Sequence, residues 1–126
     1  MAHFAKVENG VVVEVIVAEQ EFIDTLPNPS SWIQTSYNTY QGTHLNGGTP
    51  LRMNYASVGG TYDAERDAFI PPKPHKSHIF DEAVCDWFPP TQKPEFNSAT
   101  HKCIWDENQY DSTGDGWVLI PHPVLP

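Results

Sequence analysis

Of the six histidines and two cysteines, five form the one cluster in sequence with the donor atoms that a transition metal takes: His75, His78, Cys85, His101 and Cys103. Imidazole nitrogen and thiolate sulfur together suit zinc, but the separations argue against it. The pairs read His-x2-His and His-x-Cys, neither of them a finger spacing, and His75 and His78 sit in a proline-flanked stretch where solvent is the default neighbour. The expectation is no metal and no cofactor, with Cys85 and Cys103 as free thiols. A single bridge between them is the alternative, because two cysteines are too few for a disulfide scaffold. A second candidate is Asp111-Ser112-Thr113-Gly114-Asp115-Gly116, which has the oxygen donors and glycines of a calcium loop but lacks its closing glutamate. An Asp-Gly hairpin turn between Tyr110 and Trp117-Val118-Leu119-Ile120 accounts for the same residues without an ion.

Nucleophilic catalysis needs a serine, threonine or cysteine beside a histidine and an orienting carboxylate, and no serine here lies in a Gly-x-Ser-x-Gly context. No glycine loop of the phosphate-cradling kind is present either. A glycosidase carboxylate pair would meet only in space, and 16 acids spread over turn-rich segments read more simply as a solvated face. The sequence points away from an enzyme, with no catalytic residue to name. What it offers instead is aromatic rings. Phe69, Phe80, Trp87, Phe88 and Trp105 are the candidate partner-binding anchors, since a ring on an extended segment combines a large contact area with few rotatable bonds. Sugar stacking is the other use of such rings.

The elements that must position these rings fit a single domain of 126 residues, mainly β, with at most one short helix. Phe4–Glu8 and Val11–Val17 flank Asn9-Gly10, the signature of a hairpin with a type I′ turn. The second strand is apolar on one face and mostly so on the other, which predicts packing on both sides. Glu19–Leu26 is the helical candidate, closed by Pro27 and Pro29. Trp32–Tyr37 reads as a strand, Gln41–Pro50 as a loop and Leu51–Ala56 as a further short strand. Only three of the 12 prolines (Pro27, Pro29, Pro50) fall in the first sixty residues. The chain therefore divides into an N-terminal hairpin and sheet core, 1–60, and a proline-rich hairpin extension of the same domain, 61–126.

The extension contains a degenerate repeat. Tyr62-Asp63, five residues and Phe69-Ile70-Pro71-Pro72-Lys73-Pro74 are followed by Phe80-Asp81, five residues and Trp87-Phe88-Pro89-Pro90, then Lys93-Pro94. Phe96-Asn97 and Trp105-Asp106 start further units. Asp or Asn after each first aromatic initiates a turn by bonding its own backbone, while the proline segments stay extended. Hairpins this small bury little by themselves, so their rings must fold back on the first-half sheet or reach another chain. A net charge of −9 repels phosphate backbones and anionic headgroups, which excludes nucleic acid and membrane as partners. No apolar run is long enough to span a bilayer, and the N-terminus lacks the basic and apolar regions of a signal peptide.

The segments HFAKVENGVVVEVIVA, WIQTSYNT, PLRMNYASVGGTYD and DAFIPPKP are similar to a group of small proteins from tailed bacteriophages, notably those infecting marine and freshwater cyanobacteria. The likeness covers roughly residues 2 to 90. Where members of that group follow the Pro-Pro-Lys-Pro segment with a Pro-Ser-Trp stretch and a Leu-Asp-Glu turn, this chain has His75-Lys76-Ser77-His78-Ile79-Phe80-Asp81-Glu82. The resemblance implies a virion location and a structural role, as a capsid decoration protein or a small tail- or fibre-attached component. Its partners would be other virion proteins and further copies of itself. It carries over no active-site residue. The alternative is a carbohydrate- or receptor-binding module using exposed aromatics.

Overall fold

The computed structural model describes residues 2–124. Strands take 37% of the chain and helix 12%, so the fold is mainly β, as its alternating apolar residues and turn signals require. β1 (Ala2–Glu8) and β2 (Val11–Ala18) pair antiparallel around Asn9 and Gly10, whose φ of 53° and 80° fit a type I′ turn. A bulge interrupts the register, because Lys6 faces Glu14 whereas Val7 faces Val12, leaving Val13 as the extra residue. Strict alternation would put Val11, Val13, Val15 and Val17 on one face. The bulge resets it, so that Val12 and Val15 share a face while Val11 and Val13 stand 39% and 41% exposed; Val17, on the Val15 face but opposite His3 at the strand's end, is 52% exposed.

After α1 (Gln20–Asp24) and a single 3-10 turn at Pro29–Ser31 come β3 (Trp32–Thr35), β4 (Thr39–Tyr40), β5 (Thr43–His44), β6 (Thr61–Asp63) and β7 (Ala68–Ile70). The five-stranded sheet runs β3-β1-β2-β6-β7, all antiparallel. Both its faces are packed. Ala5, Val7, Val12, Val15 and Ile33 meet Ala56, Tyr62 and Phe69 on one side, while Phe4, Ile16, Ala18 and Trp32 meet Ile23 and Leu26 from the α1 region on the other. The short strand expected over Leu51–Ala56 is absent. Arg52 and Met53 adopt left-handed backbone, φ 55° and 71°, and the segment instead lays Asn54 and Ala56 over the sheet.

Further along lie β8 (Ile79–Asp81), β9 (Asp86–Phe88), β10 (His101–Trp105), α2 (Glu107–Thr113) and β11 (Trp117–Pro121), with β8 paired to β9 and β10 to β11. α2 replaces the Asp-Gly hairpin turn expected here. Asp106 caps it by accepting from the Gln109 N–H at 3.1 Å, and Gly114 closes it in left-handed conformation, φ 81°. The chain forms two compact units, one of residues up to Lys73 together with Phe80–Trp87, the other of Pro74–Ile79 and the residues from Phe88 on. The first hairpin of the extension, β6–β7, thus belongs to the sheet. Among the described residues no helix is long and apolar enough to cross a membrane.

Candidate functional site

Three hairpins are built to one plan. Each opens with an aromatic residue followed by aspartate and closes with an aromatic opposite the first: Tyr62 with Phe69, Phe80 with Trp87, Trp105 with Trp117, the rings 5.1, 5.1 and 5.2 Å apart. The aspartate bends the backbone each time. Asp63 Oδ1 accepts from the Glu65 and Arg66 N–H groups, Asp81 Oδ1 from Ala83 N–H and Asp106 Oδ1 from Gln109 N–H. A left-handed residue lies in each loop: Asp67 and Cys85 directly before the returning strand, with φ of 49° and 53°, and Gly114 at the end of α2, with φ of 81°. Phe96-Asn97 makes the same turn, Asn97 Oδ1 accepting from Ala99 N–H, but leads directly into β10 and forms no ring pair of this kind.

The second aromatic of a hairpin also holds the proline connector that precedes it. In the sheet unit Trp87 Nε1–H donates to the Pro71 carbonyl at 2.8 Å, and the Lys73 ammonium lies 5.5 Å from the indole centroid. In the other unit Trp117 Nε1–H donates to the Thr91 carbonyl at 3.0 Å, with the Lys93 ammonium 5.8 Å from that ring and 5.4 Å from Phe96. Tryptophan does both jobs because its flat ring lies against extended chain while its edge N–H finds a carbonyl.

The five anchors named from sequence are divided between the units, Phe69, Phe80 and Trp87 in one and Phe88 and Trp105 in the other. Phe69 is 1% exposed and packs among Ala5, Val12 and Ala56, so it is a core residue and not an anchor for a partner. The sheet satisfied it because β6–β7 adds two strands to that sheet. Phe80 and Trp87 are half-buried on each other, with the Arg66 guanidinium 5.5 Å from the Phe80 ring and bonded to Asp63 and Glu82. Trp105 is half-buried by Trp117, Tyr110 and His78. A Cβ on Gly116 would stand 2.7 Å from the Trp105 ring, so only glycine lets that ring lie down. Phe88 alone is well exposed, at 39%, and lines an open cleft of about 400 Å³ with Pro89, Pro90, Lys93 and Trp117.

The metal candidates are engaged otherwise. His75 and His78 pack ring to ring, His78 stands edge-on to Trp105, and His101 Nδ1 is 2.8 Å from the Thr100 hydroxyl. Among the described residues no three of His, Cys, Asp and Glu gather as a metal site. Both cysteines are free thiols, and burial pushes the Cys85 thiol up. Glu107 accepts from the Ser77 N–H and hydroxyl and from Trp105 Nε1–H at 3.0, 2.6 and 2.8 Å, bonds that hold its carboxyl below the usual range.

Sequence reasoning missed two features of the sheet unit. Asn54, 4% exposed, accepts from Gln41 N–H at 3.0 Å and donates to the Phe69 and Cys85 carbonyls at 3.0 and 2.9 Å, tying three loops together. Beside it Tyr37, Tyr40, Leu45, Tyr55 and Pro71 line a cleft of about 340 Å³. Tyr37 stacks on His3 at 5.8 Å and Tyr55 stands edge-on to both at 5.5 Å, yet Tyr37 and Tyr40 remain 66% and 54% exposed. Gln41 Nε2 donates to the Tyr40 hydroxyl and to Asp86 Oδ2, and burial with the Asp86 charge raises the Tyr40 phenol. The cleft depends on the β4–β5 turn, where Gln41 and Gly42 have φ of 50° and 83°. A two-residue X-Gly turn between short polar strands was the signal available.

No family model matches the chain, and neither a curated protein nor a solved structure is significantly similar to it.

Proposed function

We propose that the chain is a structural component of a tailed-phage particle, acting through protein–protein contacts as a capsid decoration protein or as a small part attached to tail or fibre. The resemblance of residues 2 to 90 to small tailed-phage proteins supplies the setting. The observation that carries the contact role is the pair of open clefts, each walled by aromatic rings and prolines whose positions are fixed by bonds within the same unit. Fixed rings lose little entropy on docking, so their area converts efficiently into affinity. Mass spectrometry and cryo-electron microscopy of purified particles test it: the expected outcome is the chain present at a fixed copy number on the particle surface. Its absence from particles sinks the reading. The cleft with Tyr37 and Tyr40 exposed favours one second reading, a carbohydrate-binding module, since such rings also stack on pyranose faces.

A further inference from the structure

Tyr37 is a wall shared by two clefts of opposite character. The first, of about 340 Å³, is the tyrosine cleft, where Tyr40, Leu45, Tyr55 and Pro71 make the lining mostly apolar. The second, of about 270 Å³, is polar, lined by the His3 imidazole, the Gln34 and Asn38 amides and the Ser36 hydroxyl. An exposed tyrosine in a turn ordinarily hops between rotamers, but this one is held. His3 stacks on it at 5.8 Å and Tyr55 stands edge-on at 5.5 Å. The backbone on either side is pinned at two buried threonines, Thr35 accepting from the Ala56 N–H at 2.9 Å and Thr39 from the Leu51 N–H at 3.3 Å. The side chain still stands 66% exposed, so a fixed aromatic surface is left open to a ligand.

A held, open ring beside amides and a hydroxyl is matched by a ligand that is itself apolar on its face and polar around its rim. A pyranose is built that way. Its axial C–H groups cover an aromatic face, while each hydroxyl on its rim both donates and accepts, as the amides and the serine hydroxyl require. Charge narrows the class of sugar. Asp86 Oδ2 accepts from Gln41 Nε2 at 2.8 Å, and the same Gln41 nitrogen donates to the Tyr40 hydroxyl at 3.2 Å, which sets a carboxylate at the edge of the tyrosine cleft. A carboxylate accepts from sugar hydroxyls and repels the acid group of a uronate, and the net charge of −9 acts in the same sense. Each cleft lies near the small end of ligand-pocket volumes, about 300 Å³, which suits one sugar ring apiece.

We propose that the two clefts sharing Tyr37 together bind an uncharged oligosaccharide, one pyranose stacked among the tyrosines and the next hydrogen-bonded by Gln34, Ser36 and Asn38. The proposal rests on the carbohydrate reading of the tyrosine cleft and adds to it a polar subsite and a charge class; it does not depend on the particle role. Nuclear magnetic resonance titration of the full chain tests it, with cellotriose, maltotriose, mannotriose and xylotriose as uncharged probes and trigalacturonate as the anionic one. At least one uncharged probe is expected to move the Tyr37 and Tyr40 ring resonances together with the Gln34 and Asn38 side-chain amides, and trigalacturonate to move none of them. Tyr37→Ala should weaken that binding about tenfold or more, and Gln34→Ala, at an exposed position that the fold does not need, about fivefold. Unchanged Trp32 and Trp87 indole resonances report that the sheet unit of each variant is folded. Shifts confined to Tyr40 and Tyr55, or a Gln34→Ala variant that binds like the wild type, would sink the second subsite and leave the one-cleft carbohydrate reading standing. Shifts confined to Phe88 and Trp117 would move the sugar to the other unit and overturn the proposal, as would trigalacturonate binding as tightly as the uncharged probes. No shift with any of the four uncharged probes would end both the proposal and the carbohydrate reading.

Discussion

Phe4, Ala5, Val12, Ala18, Ile23, Ala56, Ala68, Phe69 and Cys85 are the buried apolar residues of the described chain, and every one lies in the sheet unit. In the unit built on β10, α2 and β11, the buried positions are His78 and Gly116. There, ring meets ring edge-on or tilted, an indole meets a carbonyl, and Glu107 gathers three donors. The sheet unit is held by apolar area withdrawn from water, which is forgiving of geometry. The other is held by directional contacts, which are not. Each unit should therefore fail to a different kind of substitution.

The largest effect should come from Asn54→Leu. It leaves the Phe69 and Cys85 carbonyls and the Gln41 N–H without their partner in a buried place, and at about 1–3 kcal/mol for each such group it should cost about 3 kcal/mol or more. Chemical denaturation followed at Trp87 should show this while Trp117 holds its midpoint; equal shifts at both would mean the units unfold as one. Gly116→Ala comes next. A Cβ 2.7 Å from the Trp105 ring must displace it, costing about 1–3 kcal/mol and dispersing the Trp105 and Trp117 indole resonances without touching those of Trp32. Trp117→Phe keeps a ring but deletes the N–H to Thr91, for about 1 kcal/mol, and should speed amide exchange over 89–94.

The smallest effect is one of pH. Because Ser77 and Trp105 hold the Glu107 carboxyl below its usual range, its contribution is complete above the ordinary glutamate value of about 4.3 and is lost as pH falls through the lower folded value. The Trp105 indole resonance should move in that acid window in the wild type and stay still in Glu107→Gln.

Local signals made the sheet legible. Asn9-Gly10 declared its turn, and a strand apolar on both faces declared that both would be covered. The repeat was visible as aromatic-aspartate pairs, and three of its starts do become ring-paired hairpins. Other features turned on matters that spacing does not carry. The bulge at Val13 is chosen by tertiary packing. α2 is seven residues ending in Asp-Ser-Thr, weak helix formers, and its evidence lay in the cap, Asp106 with Gln109 three residues on and Gly114 beyond. Phe69 and Trp87 look alike in the repeat, yet one hairpin joins the large sheet and the other does not, a difference set by where β6 pairs with β2 at Val11 and Thr61. The tyrosine cleft gathers residues 37 to 71 through Asn54, and a single buried amide has no sequence signature.

The Trp105–Trp117 pair has an optical consequence. Two indoles 5.2 Å apart with planes at 81° couple their transition dipoles and split the absorption they share into two bands of opposite circular dichroism. The unit without an apolar core thus carries its own chromophore for folding, an indole couplet that vanishes when the rings separate; the corresponding ring pair of the sheet unit, Tyr37 and Tyr55, is made of phenols and not indoles.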